Sequence, residues 1–211
     1  MTTAQRDQRG QRARRSSIAA CLLALGLAAC GGSGNNPIGN PPEVSNPVGV
    51  TGQKLSFAYF QKCINPIFVA RLQINIGGAI STNTCAGSGC HDNTTGTGGA
   101  LRVVANAQPV DLTDPANTAD VIRTTDMYKN FYSAQGSVVI GAVTQSRLLT
   151  KPLVLNVLHG GGLIFEDLND PNARLMQYWM THPAPNGQDE FSTATYSMFT
   201  PADLSGTCNT Q

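Results

Sequence analysis

The stretch T-C-A-G-S-G-C-H-D imposes the strictest geometry of any segment in the sequence. Cys85 and Cys90 are separated by four residues, and His91 follows the second cysteine directly. Two thiols and an imidazole this close can be joined to each other, to a metal ion or to a cofactor, and each option requires a tight bend. Gly87 and Gly89 lie between the cysteines and provide the backbone freedom for that bend.

Covalent haem attachment is the interpretation that the motif favours. In a c-type haem site two thiols add to the vinyl groups of one haem edge, and the next residue directs its imidazole at the iron, usually as C-x-x-C-H. The spacing here is C-x4-C-H, a less common variant that keeps the cysteine next to the histidine. We therefore predict thioether bonds at Cys85 and Cys90 and a proximal iron ligand at His91.

Two other interpretations of the motif remain open. A disulfide between Cys85 and Cys90, with His91 at the surface, would close a short loop and stabilise the fold little. A zinc site would use both thiols and the imidazole but would lack a named fourth ligand.

The first thirty residues predict export. Five arginines and one acidic residue precede the apolar run Ile18–Cys30, which is too short to span a bilayer and is typical of a signal peptide covering residues 1–29. The segment Leu27-Ala28-Ala29-Cys30 resembles the lipobox of bacterial lipoproteins, which implies acylation of Cys30 and anchoring to a lipid bilayer. Gly31 after the cysteine resembles the sorting pattern of the outer membrane, so we expect the protein to face the periplasm.

The composition of the chain after residue 29 predicts a flexible tether followed by one folded domain. Residues 30–52 are rich in Gly, Pro and Asn and predict a flexible linker, whereas residues 53–211 are enough for a single domain with a sizeable core. The whole basic excess lies in the signal peptide, so the remainder is net acidic and nucleic acid is not an expected partner.

The other two cysteines of the domain are Cys63 and Cys208. In an oxidising compartment four cysteines allow three pairings. Only a bond between Cys63 and Cys208 leaves Cys85 and Cys90 for another purpose, and it would hold the C-terminal tail to the first helix.

Hydrophobic periodicity predicts an all-α fold, mainly helical with long loops. The last helix has the clearest signal, because Asp170-Pro171 supplies an N-cap and a proline at the first helical position. The acidic pairs Glu166-Asp167 and Asp189-Glu190 are expected to be solvated loop charges. The predicted helices cover Ser56–Ile76 with a break near Asn65, Asn117–Ala134, Ala142–Thr150 and Pro171–His182, and residues 80–112 are expected to be irregular.

The order of short motifs resembles a monohaem cytochrome c-like domain. The motifs are N-P-I-F at residues 65–68, the Cys-His site, S-R-L-L-T-K-P-L at residues 146–153, H-G-G-G-L-I-F at residues 159–165 and a final helix containing Y-W-M. Their order is similar to that of planctomycete-type cytochrome c relatives with an HGGG motif. The resemblance implies a cytochrome c-like fold, one covalent haem c and a distal iron ligand at His159.

Methionines compete for the distal position. Met127 is the alternative to His159, whereas Met176 and Met180 share a helical face with Trp179 and are expected in the core. His182 is expected to bind carbonyls at the end of the last helix. Candidate walls of a haem pocket, each equally a core residue, are Phe68, Leu148 and Trp179.

The sequence therefore predicts a membrane-anchored periplasmic c-type cytochrome that carries electrons and is not itself an enzyme. Its redox partner proteins are not identified by any motif. One alternative is a disulfide-stabilised surface lipoprotein without a cofactor, and another is a haem enzyme or sensor with an open distal site.

Overall fold

The computed structural model of the protein describes residues 53–211. The predictions for the signal peptide, for lipidation at Cys30 and for most of the tether lie outside the described residues. Within residues 53–211 no helix is both long enough and apolar enough to cross a membrane.

The first helical segment runs over thirteen residues with a change of pitch in the middle. Helix α1 (Phe57–Tyr59) begins where the Ser56 hydroxyl accepts a hydrogen bond from the backbone N–H of Tyr59, continues as a π-helix (Phe60–Ile64) and ends as α2 (Asn65–Val69). The change of pitch precedes Pro66, which lacks an N–H and is tolerated only at the start of a helical piece. Instead of the break predicted near Asn65, the structure has a change from π- to α-helix at this residue without interruption of the helical backbone, and the segment ends earlier than expected.

The prediction of an all-α fold is wrong. Strands β1 (Leu72–Ile76) and β2 (Ala79–Asn83) form an antiparallel hairpin, and β3 (Phe199–Thr200) pairs with β4 (Thr207–Cys208) near the C-terminus. The sequence L-Q-I-N-I alternates apolar and polar residues, as a strand does, and Gly77 and Gly78 adopt the positive φ values of +59° and +92° that a type I′ turn requires. The apolar residues of β1 continue the apolar stripe of the preceding helix in the sequence. The change from a helical to a strand period was therefore not visible in the pattern.

The remaining helices lie where the sequence predicted them, but they are shorter and more numerous than expected. Threonine hydroxyls cap two of them, and the Asp170 carboxylate caps the last by accepting from the N–H groups of Asn172 and Ala173. The segment predicted over Asn117–Ala134 is two helices because Thr125 caps a second one. The helices are α3 (Ala119–Arg123), α4 (Asp126–Gln135), α5 (Arg147–Thr150) and α6 (Pro171–Thr181), with 3₁₀ turns at Val143–Gln145 and Thr193–Met198.

An aromatic cluster forms the centre of the core. Trp179 is fully buried, its ring centre lies 5.4 Å from that of Phe60, and its indole N–H donates to the Ser56 carbonyl at 2.9 Å. Phe131 meets Phe57 edge to face at 5.4 Å. These contacts pack α6 and α4 against the first helical segment.

Two side-chain amides hold the long segment between β2 and α3 against this core. Gln61 donates to the carbonyl and accepts from the N–H of Val110, both at 3.0 Å, as a neighbouring strand would. Asn130 is fully buried and does the same for Val104, at 3.0 and 2.7 Å. The segment is therefore ordered without regular secondary structure.

Glu190, which the sequence analysis assigned to solvent, is buried. Its carboxylate accepts hydrogen bonds from Tyr128 at 2.7 Å and from Arg123 at 3.1 Å. Burial raises the pKa of Glu190, but its own backbone N–H, the Tyr128 hydroxyl and the Arg123 guanidinium outweigh that effect and hold the pKa below its ordinary value. The two partners lie more than sixty residues away in the sequence, so the local pattern gave no sign of them.

A disulfide joins Cys63 to Cys208 across 145 residues, with 6.1 Å between the Cα atoms. It links the π-helix to β4 and so fixes the C-terminal tail on the first helical segment. This pairing leaves Cys85 and Cys90 as free thiols.

Removal of this disulfide in a Cys63→Ala/Cys208→Ala variant should lower the free energy of unfolding by about 2–5 kcal/mol, because the unfolded chain loses a long covalent loop. Urea titration measures the change. A reductant should lower the wild-type midpoint and leave that of the double variant unchanged; a wild-type midpoint insensitive to reductant would contradict the expectation.

Replacement of Glu190 by Gln should lower the free energy of unfolding at pH 7 by about 1–3 kcal/mol, because Arg123 and Tyr128 lose a charged acceptor. The pKa of Glu190 is lower in the folded than in the unfolded protein. Its contribution to the free energy of unfolding is therefore complete above the unfolded-state pKa of about 4.3 and is lost as the pH falls through the lower folded-state pKa. The difference from wild type should therefore shrink in urea titrations below about pH 4. Exposed Glu166→Gln is the matched control and should change stability little at any pH.

Candidate functional site

The segment between the two cysteines folds into a compact turn. The Cys90 N–H donates to the Gly87 carbonyl at 2.9 Å, and Gly89 has a φ of +78°, the value that the third position of a type II turn requires. The His91 N–H donates to the Cys85 carbonyl at 2.9 Å and closes the loop. The residues in excess of the usual spacing are thus taken up by the turn.

Both cysteines of the motif are free thiols and only partly exposed. Cys85 is largely covered, and burial together with the neighbouring Cys90 raises its pKa to about 11. The Cys90 sulfur accepts a long hydrogen bond, 3.7 Å, from the amide of Asn83 at the end of β2. The two sulfurs are not bonded to each other, contrary to the disulfide interpretation of the motif.

His91 is held from two sides at the edge of the domain. Its backbone carbonyl accepts from the Val103 N–H at 2.8 Å, and its ring Nδ1 lies 3.2 Å from the Leu101 carbonyl. Because a carbonyl can only accept, Nδ1 carries the proton and Nε2 is the nitrogen left for a metal bond. Gly98 packs on the ring so closely that a Cβ there would lie 2.6 Å from Cε1.

Burial lowers the pKa of His91, and the neighbouring His159, Arg102 and Lys151 lower it further. The hydrogen bond to the Leu101 carbonyl raises the pKa but does not outweigh these effects. The imidazole is therefore neutral at pH 7, which is the form that binds a metal.

His159 repeats this arrangement on the opposite segment. Its Nδ1 lies 2.7 Å from the Gly162 carbonyl, so Nδ1 again carries the proton and Nε2 is left for a ligand bond. Of the three glycines after it, Gly162 has a φ of +71° and lies directly against the Asn75 carbonyl, whereas Gly160 faces open space. The HGGG motif therefore needs glycine most at its last position.

The fold brings the two imidazoles together although His91 and His159 are 68 positions apart in the sequence. Their ring centres lie 6.3 Å apart and their planes are within 16° of parallel. No protein family, curated protein or solved structure matches this chain. The two imidazoles and the groups around them therefore define the chemistry of the site.

Within the described residues no group of three or more His, Cys, Asp or Glu side chains could hold a bare metal ion. The zinc interpretation of the motif, which needs a closed set of four ligands, is thus without support here.

The competing residues lie in the core. Met127, Met176 and Met180 are at most 2% exposed within the hydrophobic cluster, and the same cluster contains Phe68, Leu148 and Trp179. His182 stacks on Tyr178 and its Nδ1 lies 2.8 Å from the carbonyl of that residue at the end of α6, as predicted. The ring beside His91 is that of His159.

Sequence reasoning missed the groups that orient the rings. Those groups are the carbonyls of Leu101 and Gly162, the packing of Gly98 and the pairing of β1 with the segment after His159. Backbone carbonyls leave no residue-type signal, and only the glycines could have indicated close approach.

In the folded, haem-free protein, Cys85 should react with iodoacetamide about 100-fold more slowly at pH 8 than in urea, because a raised pKa leaves little thiolate. Its rate should keep rising up to the pKa of about 11. Peptide mapping by mass spectrometry measures the rate at this residue. A native rate that levels off near pH 9 would show that the thiol is not perturbed.

Proposed function

We propose that this protein is a c-type cytochrome with one covalent haem, attached through Cys85 and Cys90 and ligated by His91 and His159. The observation that carries the proposal is the imidazole pair, at 6.3 Å between ring centres. Two imidazoles bound to opposite sides of one metal ion, at about 2 Å per bond, have ring centres about 6 Å apart. The measured separation agrees with that value.

The ligand chemistry of the site favours haem over a bare ion. Two imidazoles alone would leave most positions of a bare metal ion unfilled, whereas haem would bring further nitrogen ligands of its own, so that His91 and His159 would be enough to hold its iron. The free thiols of Cys85 and Cys90, with His91 in the next position, supply what covalent attachment requires. A second imidazole beside His91 also argues against an open distal site of the enzyme or sensor type.

The surroundings of the distal segment suit an apolar prosthetic group. Leu158, directly before His159, is 89% exposed, and Ile76, which lies against Gly162, is 56% exposed. These two exposed apolar side chains would be available for contact with such a group.

The chain's own groups would set the properties of the site. When bound, the haem supplies an iron that exchanges one electron between its ferric and ferrous states. The carbonyls of Leu101 and Gly162 accept the Nδ1 protons, which fixes the orientation of both imidazoles and raises their basicity. Two imidazole ligands in place of a thioether predict a lower reduction potential.

Export and lipidation complete the proposal. A signal peptide over residues 1–29 would deliver the chain to the compartment where haem is attached, and acylation at Cys30 would hold it at the outer membrane facing the periplasm. Residues 30–52 would act as the tether, and the partners would be redox proteins reached from that anchor.

Protein produced with the cytochrome c maturation machinery should retain haem on a denaturing gel, as seen by peroxidase staining, and Cys85→Ala/Cys90→Ala should lose the stain because both thioether positions are removed. Wild type without covalent haem would refute the proposal.

The distal ligand is tested by ferrous absorption spectra. Wild type should be low-spin, and His159→Ala should become high-spin and bind carbon monoxide, because one axial position opens. His182→Ala removes a histidine at the end of α6 and is the matched control; its spectrum should equal that of wild type. A His159→Ala protein that stays low-spin would show that another residue is the sixth ligand.

A further inference from the structure

We infer that the β1–β2 hairpin positions the sixth ligand, with Asn75 as the positioning residue. This inference rests on the proposed function, because it concerns how His159 is held for the iron. The hairpin was predicted to be helix and irregular loop, and no part of it supplies a ligand. Its role follows from two backbone hydrogen bonds to the segment that carries His159.

Asn75 uses its outer edge to bind that segment. In a hairpin with the two-residue turn Gly77-Gly78, Ile74 exchanges ladder hydrogen bonds with its partner Ser81, while the N–H and carbonyl of Asn75 point away from β2. The Asn75 N–H donates to the Leu163 carbonyl, and its carbonyl accepts from the Leu163 N–H, both at 2.9 Å. β1 is thus paired on both sides.

The bonds at Leu163 are close to the ligand. Gly162, the preceding residue, supplies the carbonyl that holds His159 Nδ1, and its own N–H donates to the His159 carbonyl at 2.8 Å. Gly162 also lies directly against the Asn75 carbonyl. The ring of His159 is therefore fixed by a residue that β1 itself holds in place.

Little else holds this segment. In the part of the chain that the structure describes, none of the backbone N–H groups of residues 156–161 donates to another backbone group. The N–H of Leu155 bonds to Thr150 on one side, and Leu163 bonds to Asn75 on the other. The pairing with β1 is thus the nearest attachment on the C-terminal side of His159.

The same hairpin also reaches the proximal side. β2 ends at Asn83, whose side-chain amide donates to the Cys90 sulfur at 3.7 Å and whose Oδ1 accepts from the Thr84 N–H at 2.9 Å. One hairpin therefore contacts both the loop that attaches the haem and the loop that carries the distal ligand. It would keep the two imidazoles at the separation that one iron needs.

Asn75→Pro removes the N–H that binds Leu163 and leaves the backbone ladder to β2 intact. It also removes the side-chain Oδ1 that accepts from the Gly78 N–H at 2.8 Å. The haem should stay covalently attached, but the distal ligand should be released more often, with an about fivefold to tenfold increase in the association rate of carbon monoxide, as loss of one hydrogen bond would give. Gln73→Pro is the matched control: Gln73 is exposed, lies on the same edge of β1, and its N–H has no backbone acceptor among the described residues.

A readout without haem separates failure of this inference from failure of the proposed function. In the haem-free protein, hydrogen exchange at the Leu163 amide should be faster in Asn75→Pro than in wild type and Gln73→Pro. Wild type without covalent haem would refute the cytochrome proposal and the assignment of a sixth ligand. Wild-type carbon monoxide binding together with wild-type exchange in Asn75→Pro would overturn the hairpin's role while leaving the cytochrome intact.

A second pair of variants covers the case in which proline unfolds the hairpin. Gly162→Ala places a methyl group against the Asn75 carbonyl at a φ of +71°, whereas Gly160→Ala places one in open space. Gly162→Ala should bind carbon monoxide faster than wild type, and Gly160→Ala should not. Equal rates in these two variants would overturn the inference.

Discussion

The side-chain amide of Asn130 is the interaction on which the proximal half of the site depends. It is fully buried, donates to Asn65 Oδ1 at 2.9 Å, and pairs with both backbone groups of Val104. The neighbouring Val103 in turn donates to the His91 carbonyl. A single side chain on α4 thus connects the helical core to the extended stretch around Val103 and Val104. The position of His91 therefore depends on the packed core through this series of hydrogen bonds.

The two histidines are held by different means, and this follows from where their segments lie. His91 belongs to a stretch that Asn130 and Gln61 secure to the helices by pairing with backbone groups of Val104 and Val110. His159 lies in an exposed segment attached to β1. Since neither segment forms a helix, the separation of the rings depends on a few specific hydrogen bonds, each of modest net strength but costly to leave unmade.

Features with a local chemical cause were predictable, and features made by distant partners were not. The cap at Asp170, the position of Pro66 at the start of a helical piece and the core positions of Met176 and Met180 follow from their own neighbours in the sequence. The burial of Glu190 depends on Arg123 and Tyr128, far away in the chain. The hairpin is an intermediate case, because its alternation and glycine turn were present in the sequence but merged with the apolar stripe of the helix before it.

The unusual spacing of the motif also has a local cause. A turn over Gly87–Cys90 takes up the additional residues, and the hydrogen bond from His91 to Cys85 returns the chain to the first cysteine. The geometry between Cys90 and His91 is thereby independent of the gap, since these residues are adjacent in the chain whatever its length. The side-chain amide of Asn83, at the end of β2, donates to the Cys90 sulfur at 3.7 Å. The turn that takes up the additional residues and the hairpin are therefore in contact, since Asn83 is the last residue of β2.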